Sequence, residues 1–327
     1  MSDDAAVTVI FTVLNEAAAL PRLLDSLAAQ TRPPDEVIVC DGGSRDNTVA
    51  LLHAERRLPL RVIESPGANI SQGRNLAIAA AAHPVIACTD AGVRIDPYWL
   101  ERITKAFAGP RQPAWVGGFF LPDPHSTFEV AMSATVLPAL EDIDPARFLP
   151  SSRSVAFLKT AWEKAGGYPE WLDYCEDLIF DFNLCAAFGQ CAFAPDALVY
   201  FRPRSSLRSF FKQYYLYARG DGKANLWLRR HLARYATYLI ALPALLIGVG
   251  AAQDAIVRAL FGLLLIAGAG VYLRVPCRRL LHNWGDLPRG EKIRAALLAP
   301  LIRVVGDVAK MIGYPAGLLW RLRRSMD

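Results

Sequence analysis

Asp90 closes the apolar run PVIACTD, and an acid at the end of a strand is a common holder of a metal ion or a sugar. In CTDAGVRID, residues 88–96, the position two residues further on, where a second acid would complete a metal site, is Gly92. A single carboxylate still suits Mg2+ or Mn2+. Mg2+ often takes only one or two carboxylates and fills its octahedron with phosphate oxygens and water. Glycine leaves room for a ligand to approach the backbone, and Arg94 could add positive charge beside an anionic leaving group. Asp41 ends a second apolar run in VIVCDGGSRDNT, where it can accept hydrogen bonds from a base or a ribose. Asn15 and Glu16 follow a third, VTVIFTVL. Glu176 and Asp177 open EDLIFDFNLCAAFG, where the dipole of a helix N-terminus favours ionised acids. Neighbouring helix positions point about 100° apart, so only one of these two acids can face a given ligand well.

The elements that must hold these residues alternate. Strands are expected at 7–13, 36–40, 60–64 and 84–89. Helices are expected between them, including AALPRLLDSLAAQ with Leu20, Leu23, Leu24 and Leu27 on one face, and SQGRNLAIAAAA over 71–82. Strands separated by helices give βαβ units and a mostly parallel sheet, whose ligands sit at the C-terminal ends of the strands. The fold class is therefore α/β. The dinucleotide pattern G-x-G-x-x-G is missing after the first strand, and the P-loop pattern is missing altogether. Six scattered cysteines form no C-x-x-C pair, which argues against a zinc site.

Charge divides the chain. Residues 1–203 carry 16 Lys and Arg against 25 Asp and Glu, whereas residues 204–327 carry 20 against 6. The basic part is also the apolar part, as in a segment facing anionic membrane lipid. A nucleic-acid arm would be basic and polar, so nucleic acid is not an expected partner. Residues 204–232 mix aromatic with basic residues and read as an interfacial segment. Nineteen uncharged residues lie between Arg234 and Asp254, and fifteen between Arg258 and Arg274, a second span that Arg258 could extend by snorkelling. Basic residues at the outer ends of this pair imply a hairpin over 233–274, with the N-terminal domain and residues 275–327 both in the cytoplasm. In the tail, Arg303, Asp307 and Lys310 share one helix face, which favours an interfacial helix, and Pro300 and Pro315 would kink or break it.

TVLNE, VIVCDGGSRDNT, GANISQGRNLAIAAA, ACTDAG and CEDLIFDFNL, in this order and spacing, resemble the family 2 glycosyltransferases, inverting enzymes of the GT-A fold that use nucleotide-sugars. The resemblance covers about residues 7–220; the TDAG form is similar to succinoglycan-type glucosyltransferases, and the membrane hairpin resembles members that build lipid-linked glycans and exopolysaccharides. It implies a GT-A domain over 1–203 and transfer from a nucleotide-sugar, a UDP-sugar in this reading. The acceptor would be a lipid-linked (polyprenyl) chain or a glycan at the cytoplasmic membrane face. It implies that Asn15, Glu16 and Asp41 hold the uridine-like part of the donor. Arg74 and Asn75 would lie beside the ribose and diphosphate, and Asp90 beside the sugar, the diphosphate and the metal. Glu176 and Asp177 would face the acceptor, with Asp177 as base. Gln213 and Arg219 depart from the QxxRW motif of processive synthases, but Arg219 would still reach the diphosphate. Two other readings stay open: a degenerate nucleotide-sugar-binding scaffold, suggested by Gly92, and a nucleotidyltransferase. The second needs a glycine-rich basic loop where this chain has LNEAAALP.

Overall fold

The computed structural model describes residues 6–108, 112–285 and 287–324. Its contacts divide into two units. One comprises residues 1–123 and 139–202, the other residues 124–138 and 203–327. The segment 124–138 belongs with the C-terminal half, which its sequence did not signal.

The first unit is an eight-stranded sheet: β1 (Val7–Val13), β2 (Glu36–Asp41), β3 (Leu60–Glu64), β4 (Val85–Cys88), β5 (Val93–Ile95), β6 (Trp115–Pro122), β7 (Val155–Leu158) and β8 (Ala192–Phe201). Their spatial order is β3-β2-β1-β4-β7-β6-β8-β5. β3, β2, β1 and β4 are parallel. β7 then runs antiparallel to both β4 and β6, β8 is parallel to β6, and β5 closes the edge antiparallel to β8. The strand order reverses at β1, and in open α/β sheets the crevice at such a reversal receives the ligand. Alternate side chains feed two cores. Val7, Val9, Phe11 and Val13 meet α1 (Leu20–Ala28), α2 (Thr48–Ala54) and α4 (Trp99–Lys105). Ile10, Ile38 and Ile86 meet α3 (Ile70–Ala80), α6 (Lys159–Ala165) and α7 (Glu176–Phe188). The four leucines expected on one face of α1 are all buried.

The second unit is helical: α5 (Thr127–Val136), α8 (Leu207–Ala224), α9 (Leu228–Ala236), a π-helical turn (Thr237–Ala241), α10 (Leu242–Ala251), α11 (Ala255–Asn283) and α12 (Arg289–Arg324). Leu228–Ala251 and Ala255–Asn283 are long and apolar enough to cross a membrane. At the tip between them, Asp254 caps α11 through Ile256 N (2.8 Å) and Val257 N (2.9 Å), and the Arg258 guanidinium turns back to Ala252 O (2.8 Å). The prolines of the tail do not break it. α12 runs through both, and the Met311 carbonyl, which Pro315 has no N–H to satisfy, accepts the Tyr235 hydroxyl (2.7 Å). One face of α12 is a row of small residues, Ala295, Ala299, Gly306, Ala309, Gly313 and Gly317.

That row lets the α12 backbone lie directly against α8. A Cβ added at Gly313 would sit 2.2 Å from Tyr215 O, and one at Gly317 2.1 Å from Arg219 O. By contrast, a Cβ at Gly270 meets nothing within 4 Å. Overpacking usually costs about 1–3 kcal/mol. Gly313→Val or Gly317→Val should therefore lower the unfolding midpoint of the detergent-solubilised protein clearly, and Gly270→Ala should leave it unchanged, as read by thermal denaturation.

Candidate functional site

The chemistry-bearing loops gather at the C-terminal ends of β1, β2 and β4. Asp41 is buried and its carboxylate shapes its own turn, accepting Gly43 N and Ser44 N (both 2.9 Å) as well as the Ser44 hydroxyl. Ser44 Oγ in turn accepts Asn15 N (2.8 Å), and Asn15 Oδ1 accepts Arg45 N (2.8 Å). Thr48 Oγ1 accepts Glu16 N (2.8 Å). Asn15 adopts φ +56°, a left-handed conformation that asparagine tolerates better than most residues. The loops after β1 and β2 are thus stitched into one rim carrying Asn15, Glu16 and Asp41.

Arg74 joins Asp90 to Glu176. It lies in α3, whose start is fixed by a reciprocal cap: Asn69 Oδ1 accepts Gln72 N (2.9 Å) and Gln72 Oε1 accepts Asn69 N (3.0 Å). The Arg74 side chain is 2% exposed, with Nη2 at 2.9 Å from Asp90 Oδ1 and Nη1 at 2.7 Å from Glu176 Oε1. The guanidinium lies against both acids, and its Nε is buried without a hydrogen-bond partner. Asn75 is fully used. Its Oδ1 accepts Trp162 Nε1 (3.0 Å) and Tyr168 N (2.9 Å), and its Nδ2 donates to Tyr168 O (2.9 Å) and Glu170 Oε1 (3.0 Å). With both lone pairs and both protons used, Asn75 braces the loop that leads to α7 and has nothing left for a donor.

Arg153 is the residue that sequence reasoning missed. β4 and β7 pair with Cys88 opposite Val155, so continuing the register by two residues sets Asp90 opposite Arg153. Thr89 Oγ1 donates to Arg153 O (2.9 Å), and Arg153 Nε stands 3.5 Å from Asp90 Oδ2. Its guanidinium rests against the Phe201 ring (4.8 Å) and the Phe120 ring (5.7 Å) and donates to Ser151 Oγ (3.2 Å). Arg94, the cation expected near this place, instead lies on Tyr200, 4.1 Å from its centroid. Arg219 belongs to α8 of the second unit.

Glu176 and Asp177 form the first turn of α7, immediately after Cys175, which is held at φ +64°. Asp177 Oδ1 accepts Leu178 N (2.9 Å). Burial, then the neighbouring Asp177 charge, pushes the Glu176 carboxyl up to about 7 against the pull of Arg74. Burial also raises Asp177, opposed by Arg74 and Arg153. The helix dipole therefore does not keep Asp177 as readily ionised as its position in α7 suggested. One turn on, Asp181 is raised well above its ordinary value by burial and by Asp177, and its Oδ2 has no partner.

Among the described residues no three His, Cys, Asp or Glu side chains converge as a metal cage. The donor set at Asp90 is one carboxylate, 28% exposed. A divalent ion could still accompany a diphosphate there, balancing the charge that the diphosphate would add beside Asp90. One carboxylate plus diphosphate oxygens and water suits such an ion. Gly92 presents open space, with nothing within 4 Å of an added Cβ.

Residues 8–148 match the profile of Glycosyl transferase family 2. The O-antigen chain rhamnosyltransferase RfbN of Salmonella typhimurium is 26% identical over 64% of this chain and 70% of its own length. The validoxylamine A glucosyltransferase of Streptomyces hygroscopicus subsp. limoneus is 34% identical over 32% of this chain, which spans 24% of that longer protein. The mannosyltransferase PcManGT from Pyrobaculum calidifontis, solved with GDP-Man and Mn2+, superposes with a TM-score of 0.64 at 19% identity, covering 95% of this chain and 88% of that one. That last likeness is one of fold. Over residues 8–148 the chain thus matches a family 2 glycosyltransferase domain, and the fold is that of the GT-A transferases.

A carboxylate base must be ionised to work. With both α7 acids raised by burial, and if one of them is the base, the rate should fall at a pH above the ordinary carboxylate range. Glu176→Gln removes a like charge beside Asp177, so the acid limb of its pH–rate profile should move to lower pH. A limb near pH 4 in the unaltered enzyme would contradict this electrostatic account.

Proposed function

We propose that this protein is an inverting, membrane-attached glycosyltransferase. In this reading it moves a sugar from a nucleotide-sugar, a UDP-sugar, to a hydroxyl of a lipid-linked (polyprenyl) or glycan acceptor at the cytoplasmic face of the membrane. The observation that carries the reading is the Arg74 bridge. It holds the donor-side Asp90 and the acceptor-side Glu176 on one buried guanidinium, as expected where two substrates react in one pocket.

The rim of Asn15, Glu16 and Asp41 receives the nucleoside. Asp90 lies toward the sugar and diphosphate, and with the diphosphate oxygens it would hold Mg2+ or Mn2+. Such an ion supplies charge neutralisation for the leaving diphosphate. Arg153, preorganised between two aromatic rings, adds a second positive charge on that side. The acceptor oxygen attacks the anomeric carbon opposite the leaving group. The carbon–oxygen bond to the diphosphate breaks and its electron pair leaves with the nucleotide. The acceptor proton passes to Asp177, while Glu176, fixed by Arg74, hydrogen-bonds the acceptor. The intact acid pair on α7 favours this reading over a degenerate scaffold.

Two measurements test it. Asp177→Asn keeps shape and loses basicity, so transfer should fall about 10²–10⁴-fold, the usual worth of a general base. UDP-sugar binding by calorimetry should survive, whereas Glu176→Gln should act mainly on acceptor affinity. Retention of more than about a tenth of the rate in Asp177→Asn would move the base to Glu176. For topology, reporters fused at Asp254 and after Arg324 should lie on opposite sides of the membrane, and a same-side result refutes the hairpin.

A further inference from the structure

A second polar cluster lies in the helical unit. Its anchor is Asp307 of α12. Asp307 Oδ1 accepts Arg234 Nε (2.7 Å), and Oδ2 accepts the hydroxyls of Tyr272 (2.7 Å) and Tyr238 (3.2 Å), which also bond each other (2.7 Å). Arg234 and Tyr238 come from the first apolar span and Tyr272 from the second, so this latch ties both spans to α12. Nearby, His231 Nε2 lies 3.2 Å from Asp221 Oδ2, and its Nδ1 lies 3.2 Å from Arg234 Nη1.

The latch needs only Arg234 as its cation, yet two more stand beside it. Arg303, one turn before Asp307, has its guanidinium over Tyr272 at 4.4 Å, and its Nε is buried with no hydrogen-bond partner. Lys310 has its Nζ 4.9 Å from the Tyr214 ring centroid and makes no hydrogen bond or ion pair among the described residues. Burial, then the Arg234 charge, pushes the Lys310 ammonium down to about 8, despite Asp307 and Asp221. Asp307 and Asp221 balance only part of the charge of Arg234, Arg303 and Lys310, and an anion held beside the last two offsets the remaining cost of burying them.

The surroundings indicate which anion. Spacings of four and three residues put Arg303, Asp307 and Lys310 on one stripe of α12. The stripe runs between the small-residue face packed on α8 and a face of exposed Leu301, Val304, Val308 and Ile312. A phosphate at the stripe would leave an attached hydrocarbon chain against exposed apolar side chains. A water-soluble phosphate gains nothing from that face.

We propose that Arg303 and Lys310 form a binding site for the phosphate group of a lipid. The inference rests on the membrane-attached reading and deepens it by assigning residues to lipid recognition. It is tested with the full chain in phosphatidylcholine nanodiscs, titrated with farnesyl phosphate, farnesol and inorganic phosphate. Farnesyl phosphate should bind, and the other two should not at the same concentrations. Arg303→Gln with Lys310→Gln should weaken farnesyl phosphate binding about ten-fold or more, as expected for lost charge-assisted hydrogen bonds, whereas Arg303→Lys should retain most of it. An unchanged melting midpoint excludes a folding defect, and unchanged UDP binding keeps the outcome separate from the transferase reading. Failure of the chain to insert into nanodiscs would instead defeat the membrane reading itself. Competition by phosphatidylglycerol added to the disc identifies bilayer lipid as the source of the phosphate, and its absence identifies the isoprenoid. Binding that the double variant leaves intact, or inorganic phosphate binding as tightly as farnesyl phosphate, overturns the proposal.

Discussion

A buried guanidinium with two carboxylates is the constraint around which the catalytic unit is arranged. Arg74 is almost fully withdrawn from solvent, so its charge is tolerable only while Asp90 and Glu176 stay in place. Removing one member of such a triad leaves an uncompensated buried charge, commonly a loss of about 3–5 kcal/mol. Each partner therefore holds the other two. The capping box that starts α3, the Asn75 brace to the loop before α7 and the left-handed Cys175 all fix the directions from which the three side chains meet. The geometry costs strain at Cys175, at a position where strained backbone commonly accompanies function.

The same triad links the electrostatics of the two halves of the site. Glu176 is drawn toward ionisation by Arg74 and away from it by burial and by Asp177. Asp177 is buffered by Arg74 and Arg153 together. Arg153 also stands beside Asp90, so the charge at Asp90 is felt at Asp177 through two shared cations. In the proposed transfer, an anionic donor at Asp90 would compete for Arg153 and leave Asp177 with less positive charge nearby. That would raise the proton affinity of the proposed base.

Much of this was legible in the sequence because it is local. The strand end at Asp41, the approach of β4 to Asp90, the leucine face of α1 and the helix opening at Glu176 follow from periodicity and from residues a few positions apart. What escaped is non-local. Arg153 reaches Asp90 only because β7 runs antiparallel beside β4, a pairing between residues more than sixty positions apart. Arg94, four residues from Asp90, is carried off by the pairing of β5 with β8. Asn75 looked available because its motif is short, whereas its four partners come from 162–170. Pro315 looked like a helix breaker because a hydroxyl eighty residues earlier, on Tyr235, satisfies the carbonyl it orphans.

The central claim is that Arg74 couples the donor-side acid to the acceptor-side acid. A double-mutant cycle on sugar transfer with Asp90→Asn and Glu176→Gln measures that coupling directly. Groups sharing one partner are typically coupled by about 0.5–3 kcal/mol. The account predicts strong non-additivity, with the second substitution costing much less once the first has been made. Additive effects within about 0.5 kcal/mol would show that the two acids act independently and would contradict it.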